Sequence, residues 1–135
     1  MIVSCMNDLK DTAELYVVGN GMDSLEKELP HFDNVYYIGR VSDKELMDYY
    51  VNSDIFVAPI TTGGGMKTKI AEAMMYGLPI IGTEEAFEGY EIPIDEIGYC
   101  SNDIFSYKSF ILDISAKRDL LKCMSKKSRY FYENF

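Results

Sequence analysis

Asp54-Ile55-Phe56-Val57-Ala58-Pro59-Ile60-Thr61-Thr62-Gly63-Gly64-Gly65-Met66-Lys67-Thr68-Lys69-Ile70-Ala71-Glu72-Ala73-Met74-Met75-Tyr76-Gly77-Leu78-Pro79-Ile80-Ile81-Gly82-Thr83 is the stretch that decides the fold. Ile55 to Pro59 is β-branched or aromatic and stops at a proline, which reads as a short buried strand. The Thr61–Gly65 loop follows, then a helix expected over 66–76 and ended by Gly77 and Pro79. Pro79-Ile80-Ile81-Gly82 is the next strand. A strand, a crossover helix and a second strand form a parallel pair.

The same alternation extends outward on both sides. Leu15-Tyr16-Val17-Val18-Gly19 and Val35-Tyr36-Tyr37-Ile38-Gly39 read as strands, and Ile97-Gly98-Tyr99-Cys100 as a weaker one. Ser42 and Asp43 can cap a helix carrying Leu46, Tyr49, Tyr50 and Val51. Residues 103–113 and 116–132 read as two closing helices. Apolar strands split by helices predict a Rossmann-like, doubly wound, mostly parallel sheet covered on both faces.

The start of the chain breaks the pattern. Only Asn7 to Leu15 separate Met6 from the strand core at Tyr16, fewer residues than a strand–helix–strand crossover needs. Residues 2–10 are therefore expected to be helical, with Ile2, Cys5, Met6 and Leu9 on one face. A doubly wound sheet has its first strand in the middle. That strand is not apparent, so either residues 1–6 supply a short version or the chain is a piece of a longer protein. The second is the expectation.

A chain of 135 residues with 47% hydrophobic content fits one folded domain over 1–135. Its net charge of −9 argues against contact with nucleic-acid phosphates. A local anion site built from backbone amides and one or two lysines remains open. Cys5, Cys100 and Cys123 lack metal spacing and fit reduced thiols of a cytoplasmic protein. His31 is the single histidine, which excludes a two-histidine metal site. No apolar run approaches the ~20 residues of a membrane span.

The chemistry concentrates in the central stretch. Three glycines let a ligand approach the backbone amides, and the helix start adds unpaired N–H groups with partial positive charge. Phosphate oxygens suit that place. Met66, Ile70, Ala73, Met74 and Gly77 share a stripe expected to face the sheet. Thr68, Lys69, Glu72 and Tyr76 take the opposite side. Glu72 lies six residues past Met66, roughly 9 Å at ~1.5 Å per residue. A diphosphate at the glycines would thus bring its ribose to Glu72, whose carboxylate can accept from a 2′,3′-diol. The plainer readings are a Lys69–Glu72 surface ion pair and a glycine turn. The loop is not a P-loop, because Gly-Lys-Ser/Thr is missing, nor does it match Gly-x-Gly-x-x-Gly.

The order of segments resembles the C-terminal domain of GT-B glycosyltransferases of family 4, the group 1 transferases. Val17-Val18-Gly19-Asn20-Gly21, Val35-Tyr36-Tyr37-Ile38-Gly39, Ser53-Asp54-Ile55-Phe56-Val57-Ala58-Pro59 and Glu72-Ala73-Met74-Met75-Tyr76-Gly77-Leu78-Pro79-Ile80-Ile81-Gly82-Thr83 carry the likeness, over about residues 1–90. The tail from Ser128 to Phe135 is similar to the family's closing helix. The resemblance implies that Glu72 is the second glutamate of a Glu-x7-Glu motif and binds the donor ribose. The first falls at Gly64, a departure from the pattern. Gly63, Gly65, Lys67, Lys69 and Glu72 instead match a subgroup pattern, Gly-x-Gly-x-Lys-x-Lys-x-x-Glu-Ala.

By that likeness Gly63, Gly64, Gly65, Met66, Lys67, Thr68 and Lys69 are candidate donor-binding residues, with the amides near Gly65–Thr68 holding the diphosphate. Lys67 or Lys69 would stabilise the leaving group, and Gly39-Arg40-Val41 would lie against the base. A strand-to-loop exit is the plainer reading of Arg40 and Val41. The implied activity is retaining, metal-independent hexosyl transfer from a nucleoside-diphosphate sugar to a saccharide or lipid acceptor, as in polysaccharide biosynthesis. No cofactor is implied, and the sugar nucleotide is the donor substrate. The acceptor-binding N-terminal domain would be a further domain or a separate chain, leaving this domain inactive in isolation. The competing readings are a sugar epimerase built on the same fold and a flavodoxin-like interaction domain. The latter wants an acceptor Asp at a strand end, whereas Asp54 precedes its strand.

Overall fold

A computed structural model describes residues 2–134. The helix α1 (Ile2–Cys5) passes into a 3-10 turn (Met6–Leu9). There follow β1 (Leu15–Val18), α2 (Met22–Glu28), β2 (Val35–Ile38), α3 (Asp43–Asn52), β3 (Phe56–Ala58) and α4 (Thr68–Met75). The chain continues through β4 (Ile80–Gly82), α5 (Ile94–Ile97), β5 (Gly98–Cys100), α6 (Ser106–Ser115) and α7 (Arg118–Glu133). Met1 and Phe135, which end the stretches read above as chain start and closing helix, lie outside the described residues.

The architecture is α/β and Rossmann-like, and every strand pair is parallel. The expected single sheet is instead two: β1–β2, and β3–β4–β5 with β4 in the centre. The physical reason lies in the middle of the order. β1 and β3 each hydrogen-bond a strand on one side only, and a doubly wound sheet places its first strand between such neighbours. Residues 2–9 do not supply that strand, because they are helical.

That helical start joins the two sheets. Ile2, Val3, Met6 and Leu9 are buried in one cluster with Val35, Ile81, Tyr107 and Ile111, and Leu15 and Val57 pack against it. The expected face of Ile2, Cys5, Met6 and Leu9 is buried throughout. Buried Asn34 fastens it to the β1–β2 unit, donating to the Met6 carbonyl at 2.8 Å and the Ala13 carbonyl at 3.0 Å. The opposite layer centres on α4, whose Ile70, Ala73 and Met74 are fully buried beside Ile80 and Ile97, with Phe131 and Tyr132 of α7 packed on. Ser128 of α7, also fully buried, donates to the Leu78 carbonyl at 2.8 Å. Each large apolar side chain buried this way contributes about 1.5–3 kcal/mol.

Several boundaries differ from the sequence reading. α4 begins at Thr68 rather than 66, because Lys67 takes an extended backbone, φ −96° and ψ 116°. Met66 therefore lies outside the helix and is 51% exposed, so it does not belong to the sheet-facing stripe. α6 begins at Ser106 rather than 103, because Asp103 forms a turn that accepts from the Phe105 and Ser106 amides. The helix α2 was not anticipated. It buries no residue, so it has no apolar stripe to read. Ile97 ends the single turn α5 instead of opening a strand. Of the apolar residues expected along α3, only Tyr50 is buried; Leu46 and Val51 are exposed. Among the described residues no helix is long and apolar enough to cross a membrane.

Candidate functional site

In an open parallel sheet, ligands bind at the carboxyl ends of the strands. Here β3 ends in the loop 59–67, and its parallel neighbour β4 ends in the segment 83–90. The two are tied together. The Thr83 hydroxyl donates to the Ile60 carbonyl and accepts from the Ala86 amide at 3.1 Å. The Thr83 amide reaches the Ala58 carbonyl at 3.4 Å.

The glycine loop has a backbone that other residues resist. Gly63, Gly64 and Gly65 have φ of +119°, +45° and +77° in succession, all in the region L side chains avoid. A Cβ on Gly64 or Gly65 would meet nothing within 4 Å, so conformation and not crowding requires glycine there. Gly63 to Met66 are exposed. Met66 folds over the adjoining segment, where a Cβ on Gly89 would fall 2.3 Å from the Met66 Cγ.

Lys67 closes the loop from beneath. Its ammonium donates to the Gly65 carbonyl at 2.7 Å and to Glu85 Oε1 at 3.1 Å, and lies 4.0 Å from Glu88. The Lys67 carbonyl accepts from the Tyr90 hydroxyl at 2.5 Å. The Lys67 side chain is only 16% exposed. Its hydrogen bond and charge hold the Glu85 carboxyl below its ordinary pKa. Glu85 lies in the acidic run after Thr83, which the sequence alone does not distinguish from plain loop. Thr68 and Lys69 open α4 on its exposed side. No side chain caps α4, which leaves its first amides turned toward the loop.

Glu72 stands on the same helix, four residues past its start, or about 6 Å along the axis. The Lys69–Glu72 ion pair of the plainer reading is not among those of the described residues. Glu72 Oε2 accepts instead from the Tyr50 hydroxyl at 3.1 Å. Tyr50 comes from α3, whose start is fixed by a full capping box: Ser42 Oγ accepts from the Glu45 amide, and Glu45 Oε1 accepts from the Ser42 amide. The Tyr50 ring stacks on Tyr76 at 4.9 Å and on Phe56 at 6.0 Å. Burial, then the hydrogen bond to Glu72, push its phenol pKa well above the ordinary value. Between α3 and α4 lies an open cavity of about 160 Å³, lined by Asp43, Leu46, Met47, Tyr50, Glu72, Met75 and Tyr76.

The candidate residues therefore fall into three groups. Gly63 to Lys69 form one loop-and-helix start. Glu72 looks into the cavity on the same helix. Gly39, Arg40 and Val41 follow β2 and lead into the Ser42 cap, and the cavity lining begins just beyond them at Asp43. Tyr50, Tyr76 and Glu85 were missed as site residues. The hints of them were that Tyr76 shares the outer side of α4 with Glu72, that α3 carries aromatics and that an acidic run follows Thr83.

Residues 1–101 match the family described as "Glycosyl transferases group 1". No curated protein matches the chain.

Proposed function

The chain belongs to the group 1 glycosyl transferases, and we propose that its part in glycosyl transfer is to hold the nucleoside-diphosphate sugar donor. One observation carries this reading. A loop of three positive-φ glycines and a carboxylate beside a cavity lie on one loop–helix unit, spaced as a diphosphate and its ribose would need. The amides from Gly65 to Thr68 meet the phosphate oxygens, and exposed Lys69 adds charge. Lys67, anchored on Glu85, shapes the loop. The free lone pairs of Glu72 accept from the ribose diol. The base lies toward Gly39-Arg40-Val41.

As the sugar–phosphate bond breaks, negative charge grows on the departing diphosphate. Fixed amide dipoles and lysine charge stabilise it without reorganising. The hexosyl group passes to a saccharide or lipid acceptor bound by another domain or chain, so the residues described here supply donor binding and not the whole reaction. No disulfide joins Cys5, Cys100 and Cys123, which suits a reducing compartment such as the cytoplasm.

Calorimetric titration of the chain with UDP and with GDP tests the reading. One of the two is expected to bind, and Glu72→Ala to weaken it by about tenfold, the loss of charge-assisted hydrogen bonds worth ~1.4 kcal/mol. Binding of neither nucleotide, or an unchanged affinity in Glu72→Ala, overturns it.

A further inference from the structure

We infer that Tyr50 is a positioning residue for the nucleoside: its hydroxyl, held by two ring stacks, presents the Glu72 carboxylate to a ribose diol and so sets selection for ribose over deoxyribose. The inference rests on the donor-site reading above and extends it to a residue on a different helix.

A glutamate on the outer side of a helix samples many rotamers, and fixing it on binding costs entropy. Glu72 is exposed, yet Oε2 is already held at 3.1 Å by Tyr50. Tyr50 is itself 8% exposed and lies at ring-centroid distances of 4.9 Å from Tyr76 and 6.0 Å from Phe56. A tyrosine has two side-chain torsions, and here packing restricts both. The restraint therefore passes from the core beside β3 through the ring to the carboxylate. An ionised carboxylate offers about four acceptor positions, of which Tyr50 takes one. The remainder, including all of Oε1, are free to meet two hydroxyl protons from the cavity side. At about 160 Å³ that cavity is small beside the roughly 300 Å³ or more of closed ligand pockets. It takes one ring and not a whole sugar nucleotide, as a ribose subsite between two helices would.

A bond serving only to tie α3 to α4 would alter stability and leave ligand selection alone. Tyr50→Phe separates the two, because it keeps both stacks and removes only the hydroxyl. The probes are whichever of UDP and GDP binds the chain and its 2′-deoxy counterpart. In the unaltered chain the ribonucleotide is expected to bind more tightly. In Tyr50→Phe its affinity falls about 3- to 10-fold, the cost of ordering one long side chain. The 2′-deoxy form changes by less, so the ratio between them shrinks. Tyr50→Phe in a Glu72→Ala background then has no further effect on either ligand.

If Tyr50→Phe lowers both affinities equally, or neither, while Glu72→Ala still weakens the ribonucleotide, the positioning role is wrong and the donor-site reading stands. If Glu72→Ala has no effect, the donor-site reading itself fails. Thermal denaturation of each variant checks that the fold is retained. Tyr50→Leu, which also lacks any donor, provides a second variant should Tyr50→Phe fail to fold.

Discussion

Gly65 has φ +77° with open space where a Cβ would stand. Alanine there meets no clash and is penalised only through its backbone, by about 1–2 kcal/mol. Gly65→Ala is therefore expected to lower the denaturation midpoint modestly and to weaken nucleotide binding, because relief of strain turns the amides away. Unchanged stability and affinity would show that the loop conformation is not needed. Tyr107 gives a prediction in pH. It is fully buried, its hydroxyl donates to the Ser101 carbonyl at 2.9 Å, and burial pushes its pKa from 10.0 up to about 12. The folded state favours the neutral phenol, so this contribution is complete below pH 10 and is lost as pH rises through 12. The thermal midpoint should fall across that window, and less steeply in Tyr107→Phe. An equal slope in the variant would contradict the assignment.

The positive-φ backbone of the loop was legible because three consecutive glycines have few structural uses. The partners of Lys67 and Glu72 were not. Spacing on one helix suggested a Lys69–Glu72 pair, but Glu72 is claimed by Tyr50, which is 22 residues away. Contacts between elements depend on how α3 crosses α4, and no local pattern encodes that.

Elements with an apolar stripe or a cap could be read in advance. Ser42 was expected to start α3, and it does so with a reciprocal cap. Ser42→Ala should cost about 1 kcal/mol, which lowers the midpoint by roughly 3–5 °C for a chain this size. Because α3 buries only Tyr50, that loss is not compensated by packing, and it should also loosen the cavity wall. A midpoint shift below 1 °C, by roughly the same scaling, would mean that the cap is redundant. Elements without such signals were invisible or misplaced. α2 buries nothing, and α5 is one turn after a proline. The true start of α4 depends on how Lys67 is held by Glu85 and Tyr90, a contact with residues about twenty positions later.

At the scale of the whole molecule, parallel pairing and the helical start were readable from connection lengths, whereas division into two sheets was only implied by the absent central strand. The division predicts uneven protection. A two-stranded sheet is marginal without packing, while β4 is bonded on both sides and fully buried. Amide hydrogen exchange should therefore be slowest at Ile80–Gly82 and markedly faster in β1 and β2. Equal protection in the two sheets would show that they behave as one unit.

The central claim is that the glycine loop and Glu72 together receive one nucleotide. An NMR titration of the isotope-labelled chain with UDP and GDP tests it most directly. The account predicts saturable shifts confined to the amides of Gly63 to Lys69, those around Glu72, and the Gly39–Asp43 approach to the cavity. Shifts absent from the loop, or clustered elsewhere on the chain, would contradict it.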